Sequence, residues 1–248
     1  MIGASGIATE NNYPNAAEAP GLYNSNSFGG SAFYTRRLSS SQYIGGTYQY
    51  LRSQSDPVNV QANPATAQPE VQTHTLLAFY TIYLNPTLSL SLSSGPQHTD
   101  ATQAPSPPFS SWTPSVTASM GWQRNHTNFV ASYLRTVTGG LGLPGAYNSN
   151  STNASVRWQM ARSWNIGAAG SYFNNKNLTP SFPSSNPGGQ TASGTASVQY
   201  FMSEHLSVEL GYSRVHQNYS GIAVISAAPD SNREFVSLSY RVTRPVGR

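Results

Sequence analysis

Apolar and polar residues alternate along most of this chain with a period of two. The clearest case is TLSLSLS, Thr87 to Ser93, where Leu88, Leu90 and Leu92 alternate with Ser89, Ser91 and Ser93. Successive side chains of a β-strand project to opposite faces, so this stretch predicts a strand with one leucine face and one serine face. The same rhythm predicts strands at 28–38, 41–52, 71–84, 87–95, 112–123, 128–137, 152–160, 164–173, 191–202, 206–215 and 234–243. They come in pairs joined by tight turns at Ser39–Ser40, Asn85–Pro86, Arg124 to Thr127, Ala161 to Ser163 and Ser203 to His205. Between pairs lie long segments rich in Pro, Asn, Ser, Gln and Gly, at 53–70, 96–111, 138–151, 174–190 and 216–233. Short turns and long loops thus take strict turns along the chain.

The face assignment is sharpest on five further strands. Trp112, Val116, Ala118, Met120 and Trp122 oppose Thr113, Ser115, Thr117, Ser119 and Gln123. Ala154, Val156, Trp158 and Met160 oppose Asn153, Ser155, Arg157 and Gln159. Ala192, Ala196, Val198 and Tyr200 oppose Thr191, Ser193, Thr195, Ser197 and Gln199. Leu206, Val208, Leu210 and Tyr212 oppose Ser207, Glu209, Gly211 and Ser213, and Val236, Leu238, Tyr240 and Val242 oppose Ser237, Ser239, Arg241 and Thr243. Segment 71–84 is apolar on both faces, with Leu76, Tyr80 and Ile82 against Leu77 and Phe79. Arg36 and Arg37 cannot share a face, so they belong near a water interface or at a β-bulge.

Composition changes the picture from "all-β" to "all-β in lipid". Charged residues make up 9% of the 248, against about 25% in ordinary soluble domains. The polar face of each strand carries Ser, Thr, Gly and Gln almost without Lys. A soluble β-sandwich would place that face in water and charge it; the lumen of a transmembrane barrel does not need charge, and its outer band must avoid it. The aromatics Trp112, Trp122, Trp158, Trp164, Tyr200, Tyr212 and Tyr240 fall near strand ends, where Trp and Tyr favour the membrane–water interface. Leu88, Leu90, Leu92, Val116, Met120, Val156, Val198, Val208, Leu210 and Leu238 are the expected lipid contacts.

Single-chain bacterial barrels have an even number of strands. Residues 1–9, with Ile2, Ala4, Gly6 and Ala8 on one face, supply the twelfth; ten strands with an ordered N-terminal tail is the second reading. The expectation is one domain over 1–248, a closed, antiparallel, up-and-down barrel with a short tail at 244–248. On this alternation and loop asymmetry the chain resembles bacterial outer-membrane β-barrel proteins at the level of architecture. The resemblance implies an outer-membrane location, with a signal peptide removed or the chain cut from a longer one, since MIGASGIATE has neither a basic n-region nor an apolar h-region. Such proteins usually end on an aromatic residue; here Tyr240 is the nearest, ahead of Arg244-Pro245-Val246-Gly247-Arg248.

Candidate chemistry is sparse. Net charge is +4, but the only adjacent basic pair is Arg36–Arg37, so a nucleic-acid partner is not expected. There is no cysteine, and the five histidines are dispersed, which points to no metal and no cofactor. Arg157, Glu209 and Arg241 are expected to face the lumen near the short turns. They would form an ion pair or cluster with Gln123, Gln159 and Gln199 that acts as a lumen plug or as a constriction tuning ion passage. Some outer-membrane barrels are phospholipases with a His-x-Ser pair on one strand, and His205-x-Ser207 has that spacing. Ser207, however, falls on the lumen face, and no enzyme is expected. The function expected is passive, a narrow pore for small solutes or ions or a structural barrel in the bilayer. The alternative is surface binding through the Pro-rich loops 53–70 and 96–111.

Overall fold

The structure is a computed structural model that describes residues 1–12, 23–57, 69–103, 106–139, 146–178, 188–219 and 229–241. The described residues form one sheet of twelve antiparallel strands in sequence order. These are β1 (Ile2–Asn11), β2 (Tyr23–Arg37), β3 (Gln42–Pro57), β4 (Glu70–Asn85), β5 (Leu88–Gln103) and β6 (Ser106–Arg124), then β7 (Thr127–Gly139), β8 (Ala146–Ala161), β9 (Trp164–Asn177), β10 (Gly189–Phe201), β11 (Leu206–Tyr219) and β12 (Asp230–Tyr240). Every neighbour pair is an up-and-down hairpin. The N-terminal segment is a strand in register with β2, from Ile2↔Tyr34 to Asn11↔Ser25, so the ten-strand reading is overturned. Among the described residues β1 pairs only with β2, and β12 only with β11.

The register carries one face continuously across the sheet. Leu88, Leu90 and Leu92 lie opposite Trp122, Met120 and Ala118, which lie opposite Phe129, Ala131 and Tyr133. The next partners are Val156, Ala154 and Thr152, and the series runs on through Ala168, Ala196 and Tyr212 to Glu234. All ten expected lipid contacts fall on this outward face. On β5 the outward run Leu88 to Pro96 extends about 27 Å at ~3.4 Å per residue. A tilt of about 40° lowers that to roughly 21 Å, close to the ~25 Å apolar band of outer-membrane barrels. Below it stand Trp122, Trp158, Trp164, Tyr200 and Tyr240; above it stand Trp112 and Tyr212. Trp164 and Tyr200 pack with ring centroids 4.7 Å apart. The seven expected interface aromatics thus share one face, five at the turn side and two at the loop side.

Strand 71–84 resolves by the same register. Leu76, Tyr80 and Ile82 face outward, while Leu77 and Phe79 face inward, Leu77 at 8% exposure. Glycines make room for such large inward side chains: Phe79 lies over Gly45 and Phe33 over Gly3, where a Cβ would collide with each ring. Arg36 and Arg37 are the last residues of β2, one on each face, beside the turn; no bulge is needed to place them.

Strands are longer than the alternation predicted, and the loops correspondingly shorter. Segment 96–111 is the correction with most consequence: it is the upper part of the β5–β6 hairpin, paired to Gln103↔Ser106, not a long loop. Its polar, proline-bearing sequence hid the strand because these residues stand above the apolar band, and the inward positions buried there, Gln97, Thr99 and Ala101, are mostly polar. Residues 58–68, 140–145, 179–187 and 220–228 of the other expected loops lie outside the described residues, as do Val242 and Thr243 of the last expected strand.

Candidate functional site: the lumen face and its loop-side constriction

The inward face is a field of small hydroxyls. Ser89, Ser91 and Ser93 oppose Gly121, Ser119 and Thr117, and Ser193, Thr195 and Ser197 oppose Val215, Ser213 and Gly211. Cross-strand hydroxyl pairs satisfy many of them, as Thr81–Ser91 at 2.9 Å and Ser171–Ser193 at 2.6 Å. Where these pairs form, the face is polar and its side chains are small.

At the turn-side rim the expected cluster of Arg157, Glu209, Arg241 and three glutamines is not assembled among the described residues. Glu209 lies opposite Gln199 on one side and Ser237 on the other. Arg241 is four residues beyond Ser237, roughly 13 Å along the strand at ~3.4 Å per residue, so no ion pair joins it to Glu209. The ion pairs found lie elsewhere. Arg157 is on β8, opposite Asn128 and Gly167, separated from Glu209 by β9 and β10. Gln199 instead donates to Ser207 Oγ at 3.1 Å, Gln159 approaches His126 Nδ1 at 3.4 Å, and Gln123 stands exposed at the end of β6. The charged residues therefore punctuate the lumen wall singly. Arg157 borders a recess of about 340 Å3 shared with Asn128, Ser155, Thr195 and Ser197.

His205 and Ser207 do not form an outward, lipid-facing pair. Ser207 is 7% exposed on the lumen face, while His205 sits in the turn with its ring 6.3 Å from that of Tyr240.

The loop-side end holds the feature that sequence reasoning missed. The β6–β7 ladder stops at Val116↔Arg135. Continued one step up the face, it would set Pro114 against Val137. Proline has no N–H to donate, so that rung cannot form in full. Ser115 Oγ donates to the Arg135 carbonyl at 3.2 Å, closing the last rung. Above it β7 leaves β6 and passes across the inward face of β5, β4 and β3. Gln97 of β5 then does what Pro114 cannot: its Nε2 donates to the Val137 carbonyl at 2.8 Å, and its Oε1 accepts from the Val137 N–H at 2.7 Å. A side-chain amide thus stands in for a peptide group of a partner strand. Thr136 Oγ1 donates to the same Oε1 at 3.2 Å.

This tuck buries Val137, Ala146, Val71 and Ala101 as the one apolar cluster among the described residues, with Phe109 and Leu178 packed against it. Gly139 permits the close approach, since a Cβ there would come within 2.6 Å of Ser53 Cβ. Gln97 is 2% exposed and Tyr147 1%. The wall is therefore doubled at the loop side of β3–β5, and the space it bounds is narrowed there. The only sequence signals were Pro114, inside an expected strand, and Gln97 and Gly139, inside segments whose composition read as loop.

Outward above the apolar band, the strand ends carry ion pairs. Arg52 Nη2 meets Glu70 Oε2 at 2.7 Å, and Gln54 and Gln72 donate to the same carboxylate at 3.1 and 2.6 Å. Glu70 is three outward positions above Leu76, hence outside the membrane-spanning stretch. Hydrogen bonds from Arg52 and then Gln72 hold its carboxyl at about 2, below the ordinary 4.5. A lowered pKa stabilises the fold fully above pH ~4.5 and loses that contribution as pH falls toward 2. Amide exchange at the loop-side ends of β3 and β4 should therefore accelerate over that window, and Glu70→Gln should remove the dependence. An unchanged pH profile in the variant would mean the pair does not hold these ends together.

No family model matches the chain, and no curated protein matches it. Solved structures do resemble it in fold. The FrpB iron transporter from Neisseria meningitidis (F5-1 variant, apoprotein form) superposes with a TM-score of 0.65 at 12% identity, over 89% of this chain and 42% of that one. The copper transporter OprC superposes with a TM-score of 0.53 at 10% identity, over 98% of this chain and 53% of its own. The chain has the fold of outer-membrane β-barrel proteins. It spans about 42% of the length of the FrpB transporter. The architectural resemblance read from alternation and turn spacing is borne out; at this identity it extends to the fold alone.

Proposed function

We propose that this chain forms a β-barrel in the bacterial outer membrane and acts passively, as a narrow pore for small solutes or ions. The observation that carries the reading is the two-faced sheet: an outward apolar band bounded by aromatics, and an inward face of serine and threonine with isolated charges. A structural barrel would share the first face but would fill the second with interlocking side chains. Here the wall of β5, β6, β9 and β10 is lined mainly by serine, threonine and other small residues, while the bulky inward rings of Phe33, Phe79 and Phe235 stand on other strands, each over a glycine.

Lipid leaves an unpaired strand edge no hydrogen-bond partners, so β1 and β12 must be satisfied. They run antiparallel to each other, which allows them to pair and close the twelve-stranded barrel. The absence of native cysteine makes the test direct. A cysteine at Ala4 combined in turn with one at Val236, Leu238 or Tyr240 should give an intrachain disulfide in one register, and that species should keep its heat-modifiable migration. Disulfides only between chains would overturn closure within one chain. Planar-bilayer recording tests the pore itself: steady conductance supports it, and a silent bilayer would leave a structural barrel.

One observation favours a second reading. The β5–β6 hairpin continues well above Trp112, to Gln103↔Ser106, and would project from the membrane as a rigid surface for binding a partner. Deleting 99–110 should abolish partner binding while the barrel still folds, if display is its role.

A further inference from the structure

Charge is divided unevenly between the two faces of the sheet. Following the register from strand to strand, Arg37, Arg157 and Arg233 share the inward face with the serines, and Arg241 continues that face one residue beyond β12. Glu209 is the one acid there among the described residues. On the outward face two arginines are ion-paired, Arg52 with Glu70 and Arg214 with Asp230. None of the four inward arginines has a carboxylate partner among the described residues; Arg37 Nε donates to the Ser39 carbonyl at 2.9 Å. Three of the four stand at separate heights. Arg241 is at the turn-side rim, Arg157 is four residues above the end of β8, and Arg233, opposite Ser213, is four residues above the level of Glu209. They line the part of the wall that the loop-side tuck does not cover.

We infer that the lumen selects for anions, small carboxylates foremost. The inference rests on the pore reading and gives it a sign. Rings and ladders of Arg set anion preference in pores, because unpaired positive charge on a low-dielectric wall raises the local anion concentration. The guanidinium is planar and always charged, and its fork matches a carboxylate through two parallel hydrogen bonds. At Arg157 that fork stands beside Asn128, Ser155, Thr195 and Ser197, whose hydroxyls and amide can take the remaining lone pairs of a small anion in the recess. Glu209 is too far from Arg157 to cancel it, with two strands between them. Screening sets the conditions: the Debye length is about 10 Å at 0.1 M salt and about 3 Å at 1 M. The preference should therefore be strong in dilute salt and weaken in concentrated salt.

The test uses the refolded full chain in two measurements. In a planar bilayer under a potassium chloride gradient, the reversal potential should have the sign of chloride selectivity. It should move toward zero at high salt, and it should change sign in R157E/R233E. In neutral detergent, the trisulfonate dye pyranine should bind the wild type, shown by fluorescence polarisation, and lose that binding in R157Q/R233Q/R241Q while heat-modifiable migration is kept. Glu209→Gln should strengthen both signals. A conducting, cation-selective protein would overturn the inference and leave the pore reading standing. A silent bilayer with dye binding lost in the arginine variant would overturn the pore reading and leave an anion-binding lumen. Dye binding indifferent to the three arginines would overturn the inference on either background.

Discussion

Replacing Leu90 with arginine should abolish most folding into bilayers, whereas Ser91→Arg, one residue away, should leave it intact. Leu90 lies between Ile82 and Met120 in the middle of the outward band. An arginine at the bilayer midplane on the lipid face costs about 2–4 kcal/mol, a large share of the ~5–15 kcal/mol that holds a typical domain folded. Ser91 faces the lumen, paired with Thr81 Oγ1 at 2.9 Å. An arginine there loses one hydroxyl contact, a net ~0.5–1.5 kcal/mol, and keeps its charge in water. The measurement is the fraction of heat-modifiable protein after refolding into vesicles, compared for the two variants. Equal fractions would mean that the faces are assigned wrongly or that the sheet does not sit in lipid.

Gln97→Ala should release the loop-side tuck without unfolding the barrel. Two backbone groups of Val137 lose their partners in a buried place, at about 1–3 kcal/mol each, so the local loss is roughly 2–4 kcal/mol after partial relaxation. Amide protection at Val137 and its neighbours should collapse, while strands β9–β12 keep theirs. If the protein conducts, the same variant should conduct more, because the doubled wall no longer narrows the space. Gly139→Val tests the same region by overpacking against Ser53 and should also loosen it. Pro114→Ala adds a discriminating arm: it restores the missing N–H on β6, and it should draw β7 back into the β6 ladder and rescue protection lost in Gln97→Ala. Failure of that rescue would mean that the proline is not what splits the two strands.

Both results depend on features of very different legibility. Period-two alternation put the ten expected lipid contacts and the seven expected interface aromatics on one face of the sheet, because a face turned to lipid favours apolar residues at every second position. The weak first strand came from the even strand number of such barrels rather than from its own alternation. The same logic fails above the band. There the outward face meets water and the inward face mixes buried Gln97 and Thr99 with Ala101, so 96–111 carried no clear alternation and read as a loop. It fails again in the lumen: spacing placed Arg157, Glu209 and Arg241 on the inward face but could not say how far apart they lie, because the distance follows from register and from the strands between.

The sequence by itself therefore determined the hairpin pattern and the two unlike faces of the strands, consequences of local periodicity against a fixed solvent boundary, while the structure decided between ten strands and twelve. Only the tertiary structure decided that β7 leaves β6 at Pro114, that Gln97 takes up Val137 in its place, and that the inward arginines stand apart with no carboxylate partner among the described residues. Those are relations between residues distant in sequence, fixed by which backbone donors go unserved and by how neighbouring strands are registered.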